Sequence, residues 1–222
     1  MKKTLIGLFM AMLCFGPASA EVVSLGVSSN AALYAATATE KDTAVHGTTS
    51  GQFDEYESAS DFMGAVYGSI FVEAMMGPLF VGIDYVPSTL STEESTTTIG
   101  DKTTSDTSTQ VTNKVKVDFT DLITYYAGLR YNNAFFKVGS VQVEMITKEN
   151  LGTGSTYGDA SLEGALIGAG VDTVMDNGYF IRAEANYTEF DGVSLTSSSG
   201  SQIITMNSLD GLVGKLSVGK SF

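Results

Sequence analysis

Tryptophan is absent from this chain, histidine and cysteine occur once each, and proline occurs three times in 222 residues. Each scarcity closes off a kind of chemistry or fold. The one cysteine, Cys14, lies within the first twenty residues, so the chain beyond it holds no disulfide and no cysteine-based metal site. His46 sits in Thr43-Ala44-Val45-His46-Gly47-Thr48-Thr49-Ser50 with no partner nearby. No histidine-activated serine or water is therefore expected, and no catalytic residue is assigned. Basic residues are also few, 12 Lys and Arg against 25 Asp and Glu, for a net charge of −13. That balance repels nucleic acid. After residue 20 no stretch approaches the ~18 apolar residues of a membrane-crossing helix. If that part of the chain enters a bilayer, it must do so as a closed barrel, the other arrangement that satisfies every backbone group in lipid.

The first twenty residues read as a targeting segment. Lys2 and Lys3 supply the positive end, Leu5 to Phe15 a short apolar run, and Ala18-Ser19-Ala20 a small-residue cleavage site. Cys14 raises the alternative of lipidation, but Leu13 precedes it where a small residue is usual. Residues 1–20 are thus expected to be a signal peptide, with the mature chain, 21–222, starting at Glu21 as one domain.

Alternation is the dominant signal in that mature chain. Val23, Leu25 and Val27 alternate with Ser24, Gly26 and Ser28 and open a first strand reaching about Ala36. A second strand covers roughly Phe62–Ala74, a third Leu79–Val86, a fourth about Val115–Tyr131 and a fifth Ala134–Ile146. Lys137 and Gln142 suggest a bulge near Gly139-Ser140 in the fifth. A sixth strand covers Leu162–Val174, a seventh begins at Tyr179, and the last runs from about Gln202 to Phe222. Met75-Met76-Gly77-Pro78, Asn132-Asn133 and Asp176-Asn177-Gly178 are tight turns. Long loops are expected near 37–60, 87–114, 147–160 and 191–201. In 88–114, fifteen of 27 residues are Ser or Thr, and no strand is expected there.

Long and short connections therefore alternate strictly, and the charges sort by face. Asp84, Arg130, Arg182 and Glu184 share faces with small or polar residues, while the opposite faces carry almost nothing ionisable. In a medium without water the apolar face must meet lipid and the charged face must line the interior. The expected fold is all-β: an eight-stranded antiparallel up-and-down transmembrane β-barrel. Tyr131, Tyr179 and Phe222 end the apolar face beside the short turns or the chain end. Phe119, Tyr85 and Tyr187 mark the other interface.

The last strand, Leu212-Val213-Gly214-Lys215-Leu216-Ser217-Val218-Gly219-Lys220-Ser221-Phe222, resembles the C-terminal assembly signal of outer-membrane proteins. Gly214, Leu216, Val218 and the terminal Phe222 carry its alternation. Gly77 to Tyr85 and Gly178 to Tyr187 look like the third and seventh strands of OmpA-like and opacity-type barrels of the porin family. The resemblance implies a bacterial outer-membrane location with both mature termini periplasmic. It also implies contact with outer-membrane lipid and lipopolysaccharide, and with the barrel-assembly machinery and periplasmic chaperones during biogenesis. It implies no cofactor and no nucleic-acid partner, and it names no surface partner. The absence of Trp departs from such girdles, and no peptidoglycan-binding domain follows.

Inside eight strands there is room for side chains but not for a wide channel. Asp84, Arg130, Arg182, Glu184 and Glu73 are expected to form a lumen charge network, with Glu73 open because the second strand reads in either phase. The loop carboxylates Glu40, Asp42, Asp54, Glu55, Glu57 and Asp61 match no defined ion loop, so no metal is assigned. Two functions stay open. One is a structural and surface-interaction role carried by the long loops toward environment, host or phage. The other is a narrow porin-like channel for small solutes or ions, with Gly128, Gly168 and Gly170 leaving room beside the charges.

Overall fold

A computed structural model describes residues 22–42, 55–101, 109–151, 156–198, 200 and 202–222. Residues 1–20, expected to be a signal peptide, His46 and Asp54 lie outside those residues. Eleven strands appear in chain order: β1 (Val22–Asp42), β2 (Glu55–Met76), β3 (Leu79–Val86), β4 (Leu90–Ser91), β5 (Ser95–Asp101), β6 (Thr109–Tyr131), β7 (Ala134–Leu151), β8 (Ala160–Val174), β9 (Tyr179–Phe190), β10 (Val193–Thr196) and β11 (Gln202–Ser221). Eight of them, β1-β2-β3-β6-β7-β8-β9-β11, form an antiparallel sheet that closes through β11 on β1. The main chain of Phe222 exchanges hydrogen bonds with Val23 at 2.8 and 3.3 Å, carrying the seam to the last residue.

The pairing register sets the shape. Stepping from partner to partner, Leu25, Val72, Ile83, Tyr125, Ser140, Ala165, Glu189 and Asp210 lead back to β1 at Ala35, ten positions beyond the start. For eight strands that stagger gives a tilt of about 40° and a wall radius of roughly 8 Å. The three tight turns and the paired Val23 and Phe222 lie at one end, and the long connections lie at the other.

Strands run much further toward the long-loop end than their apolar alternation does. β1 and β2 stay paired out to Asp42 and Glu55, so much of 37–60 is strand. The segment 88–114, expected to lack strands, contains β4 and β5, both paired to β6. β7 reaches Leu151, and β10 occupies part of 191–201. Ser/Thr-rich segments have no apolar stripe to announce them, yet Thr suits a pleated surface and the β6 edge supplies the ladder.

The bulge also differs in position. β7 keeps one phase from Phe135 to Met145, and Lys137 and Gln142, five residues apart, simply point to opposite faces. The extra residue lies on β6, where Thr120 and Ile123 pair with Glu144 and Gln142 around Asp121, which adopts a φ of 52°.

That bulge coincides with an inversion of the wall. On the turn side of it, Leu25, Val27, Val72, Leu129, Val138, Ile167, Ile181 and Leu216 face outward and charges face inward. Beyond it, Glu144, Glu163, Glu189 and Asp210 stand outside, while Tyr34, Leu122, Val143, Leu162, Phe190 and Leu209 pack inside. One barrel thus carries an inside-out membrane segment and, stacked on it, a segment with water-soluble polarity.

Candidate functional site

Among the described residues the lumen brings together every member of the expected charge network. Arg182, from the strictly alternating β9, is the hub. It ion-pairs with Glu73 through Nη1 and donates from Nε and Nη2 to Asp172 Oδ2 at 3.4 and 3.3 Å. Asp172 also takes Arg130 Nη1, which donates to Oδ1 at 2.7 Å and ion-pairs with Oδ2 at 2.6 Å. The Arg182 guanidinium lies 4.9 Å from the Phe135 ring centre, 5.1 Å from Phe180 and 5.5 Å from Phe71, each within cation–π range. Glu73 is almost fully buried, which settles the phase of β2 with Val72, Ile70 and Val66 outward.

A second layer lies above. Lys215 pairs with Asp84, and Lys137 with Glu184. Ser69 donates to Asp84 at 3.2 Å, and Asn30 donates to Ser69 at 3.1 Å. Lys137 also sits 4.6 Å from the Tyr126 ring centre. Asp172, Lys137 and Lys215 were not among the sequence candidates. Lys215 was hidden inside the assembly signal, and Lys137 by the supposed bulge; strict alternation through β7 would have found it. With them the lumen charges balance: Arg130, Lys137, Arg182 and Lys215 against Glu73, Asp84, Asp172 and Glu184. Burying so many charges is tolerable only because each is paired.

The glycines expected to leave room for solutes do not. The Phe80 ring fills the place beside Gly128, Phe135 that beside Gly170, and Asn186 that beside Gly168. The rings interlock: Phe80 meets Phe135 edge-on at 5.8 Å and Tyr126 at 6.2 Å. Among the described residues a mid-lumen cavity of about 40 Å³ is lined by Asn30, Tyr67, Asp84, Thr124, Lys137, Asn186 and Lys215 among others. It has room for about three waters.

Above it the Tyr34 and Tyr67 hydroxyls meet at 3.3 Å. Beyond them Met63, Leu90, Phe119, Leu122, Val143, Phe190 and Leu209 line, with Tyr34, an apolar chamber of about 20 Å³. Phe119 is therefore not an interface aromatic. It pairs with the buried Met145 and packs inward, because the Asp121 bulge shifts the phase of β6 above it. The other aromatics stand where the alternation places them. Tyr131, Tyr179 and Phe222 are exposed beside the turns, and Tyr187 is exposed near the other boundary, donating to Asp210 at 2.9 Å. Tyr85 donates to Asp121 at 3.4 Å. Lys220 lies 5.3 and 5.0 Å from the Tyr179 and Phe222 rings. Gly214, Leu216 and Val218 all lie on the outward face of β11.

On the outer segment Asp118 faces outward and gathers Lys148, Lys116 at 3.6 Å and a hydrogen bond from Ser91 at 2.6 Å. The bonds from Lys148 and Ser91 hold its carboxyl below the ordinary carboxylate range. Among the described residues no three His, Cys, Asp or Glu side chains converge as a metal cage would require. No helix is long and apolar enough to cross a membrane, which says nothing of strands.

A closed antiparallel ring that is apolar outside and charge-paired inside defines a transmembrane β-barrel of the outer-membrane type. No protein-family model matches the chain, and no curated protein matches it in sequence. Solved structures similar to it include the attachment invasion locus protein Ail of Yersinia pestis in complex with the heparin analogue sucrose octasulfate. That match has 12% identity and a TM-score of 0.37 over 89% of this chain and 99% of that one. The outer membrane protease OmpT from Escherichia coli matches at 10% identity and a TM-score of 0.43, over 92% and 98%. Neisserial surface protein A matches at 13% identity and a TM-score of 0.32, over 89% and 95%.

Proposed function

We propose that this protein serves in a bacterial outer membrane as a structural and surface-interaction barrel, its working part being the strand-built platform beyond the lipid belt. One observation carries the reading: the lumen is consumed by its own charge pairs and rings, while the wall continues past the membrane boundary as paired strands. Side chains bonded to one another in a self-neutral lumen are not available to a passing solute. The platform is solvent-facing, Ser/Thr-rich and acidic, the composition of a recognition surface rather than of a packed one. On this reading the signal peptide is removed, and the turns and both mature termini face the periplasm. The belt meets lipid and lipopolysaccharide, the assembly machinery reads the β11 alternation ending in Phe222, and no reaction is catalysed.

Single cysteines test the orientation in whole cells. Ser95→Cys is expected to react with a membrane-impermeant maleimide on intact cells, and Asn133→Cys only after the outer membrane is permeabilised. The reverse pattern overturns the reading. Planar-bilayer conductance tests the sealed lumen: steady channels from the refolded wild type would favour the narrow-pore function.

A further inference from the structure

The barrel wall splits beyond Ile70. The β2–β3 ladder ends there, opposite Tyr85, yet β2 continues to Glu55. Val23 and Phe222 exchange both of their main-chain hydrogen bonds, so along β1 the odd residues bond to β11 and the even ones to β2. Through the β1–β2 register, the odd residues of β2 then bond to β1, and the even ones turn their N–H and C=O toward β3. The next such pair after Ile70 and Tyr85 would join Gly68 to Pro87, which has no N–H to give. Beyond that point β4 and β5 follow β6 and form no ladder with β2. Over most of its length β5 keeps its Cα atoms more than 8 Å from those of β2, where neighbouring strands run ~5 Å apart.

Among the described residues, this flank of β2 therefore carries main-chain donors and acceptors with no strand beside them. Exposure records the missing neighbour: Val66 is 79% exposed and Phe62 70%, against 49% for Val138 and 52% for Ile167 in the closed wall. The Phe62 N–H, one of those turned to the open side, donates instead to Asp61 Oδ1 at 2.8 Å. Phe62 also marks the height. It pairs with Ala35, which pairs with Asp210, one of the outward acids beyond the inversion. From Phe62 to Glu55 the open flank thus stands above the lipid belt, and it has the length of an ordinary strand.

Its charge has one sign. β2 carries Glu55, Glu57 and Asp61 on this stretch and no Lys or Arg anywhere, and residues 88–101 across the gap carry Glu93, Glu94 and Asp101 and no base either. On β6, Lys114 is engaged with Glu94 and Lys116 with Asp118, which leaves Lys41 as the one base of the β1–β2 pair. Because the lumen charges cancel, the net charge of −13 lies outside the lumen. An open main-chain edge takes an extended segment by strand addition, and an acidic one selects a segment bearing Lys or Arg. A second copy would bring the same acids to the edge and be repelled.

We propose that the flank of β2 between Glu55 and Phe62 is a docking edge for an extended, Lys/Arg-bearing segment of a partner protein, which adds to the wall as a further strand. The proposal rests on the surface-interaction reading above and names the chemistry of its partner. The probe is a synthetic peptide of alternating Lys and Val, set against one of alternating Glu and Val, with the full-length protein in zwitterionic nanodiscs at low salt. Residue-resolved hydrogen exchange reads the edge. In the free protein the N–H groups of Ser58 and Ser60 are expected to exchange fast, and those of Ala59 and Asp61, bonded to β1, slowly. Saturating Lys/Val peptide is expected to slow Ser58 and Ser60 about tenfold or more and to leave Ala59 and Asp61 as they were. Ser60→Pro deletes one donor on the open flank and keeps the ladder to β1. It is expected to weaken the peptide about tenfold, with Ser60→Ala unchanged; Ser58→Pro serves if the first does not fold.

No binding, binding without protection at Ser58 and Ser60, or binding that the proline leaves intact would overturn strand addition. Equal binding of the Glu/Val peptide would overturn the basic partner. Protection already present in the free protein, rising with its concentration, would make a second copy the occupant and reject the proposal. The maleimide pattern at Ser95→Cys stands apart from all of these. Labelling only after permeabilisation fails the surface reading itself, whereas labelling on intact cells with no protection on β2 fails strand addition alone.

Discussion

Replacing Arg182 by methionine keeps the length of the side chain and removes the hub of the lower lumen. Asp172 keeps its ion pair and hydrogen bond with Arg130, so it stays neutralised. Glu73 loses its cation, and its Oε1 already has no hydrogen-bond partner in the structure. One buried carboxylate is therefore orphaned, a loss of about 3–5 kcal/mol. At ~1.4 kcal/mol per decade that lowers the folding equilibrium by roughly two to three and a half decades. Arg130→Met is expected to cost less, since Asp172 retains Arg182 and the Arg130 side chain is 17% exposed. The decisive variant is Arg182→Met with Glu73→Gln, in which no charge is stranded. It is expected to return to within ~1 kcal/mol of wild type, because a buried pair replaced as a unit is often neutral. Urea unfolding in vesicles, with the folded fraction read from unheated gel migration, measures all three. A loss below ~1 kcal/mol for the single variant, or a double variant no better than the single, would refute the view that pairing makes these charges tolerable.

Further outcomes follow from other parts of the wall. Gly128→Ala places a methyl against the Phe80 ring and the Phe136 carbonyl, and is expected to lower the unfolding free energy by about 1–3 kcal/mol in the same assay. Asp121→Val puts a β-branched residue at a φ of 52° and is expected to cost about 1–3 kcal/mol, whereas Asp121→Gly should be near neutral. Asp118, whose folded-state pKa lies below its ordinary 3.8, contributes stability above that ordinary value and loses it as pH falls through the lowered one. Hydrogen exchange at Thr92, whose N–H donates to Val117 at 2.9 Å, should accelerate as pH drops below ~4 once the intrinsic rate is divided out, and Asp118→Asn should remove that step.

The membrane segment was legible because its chemistry is periodic. In β9 every second residue is buried from Phe180 to Phe190, the pattern the sequence displays. The short turns and the inward Asp84, Arg130, Arg182 and Glu184 were readable for the same reason. Phe119 was not. A bulge adds one residue without any compositional mark beyond an Asp that tolerates positive φ, and every assignment above it reverses. β5, Ser95–Asp101, escaped notice because its order comes from the β6 edge rather than from an apolar face of its own. Lys137 and Asp172 were legible in principle, as partners that charge balance with Glu184 and Arg130 requires.

The inversion of the wall at Asp121 also fixes how deeply the barrel floats. A shift inward by two residues along the strands, roughly 5 Å, would carry the outward Glu163, Glu189 and Asp210 toward hydrocarbon. A shift of the same size outward would strip lipid from Leu25, Leu129 and Ile181 at the other rim. Both displacements are opposed from opposite ends, so the molecule has a waterline. A force applied to the outer segment of the wall reaches the bilayer through a body that neither sinks nor rises to relieve it.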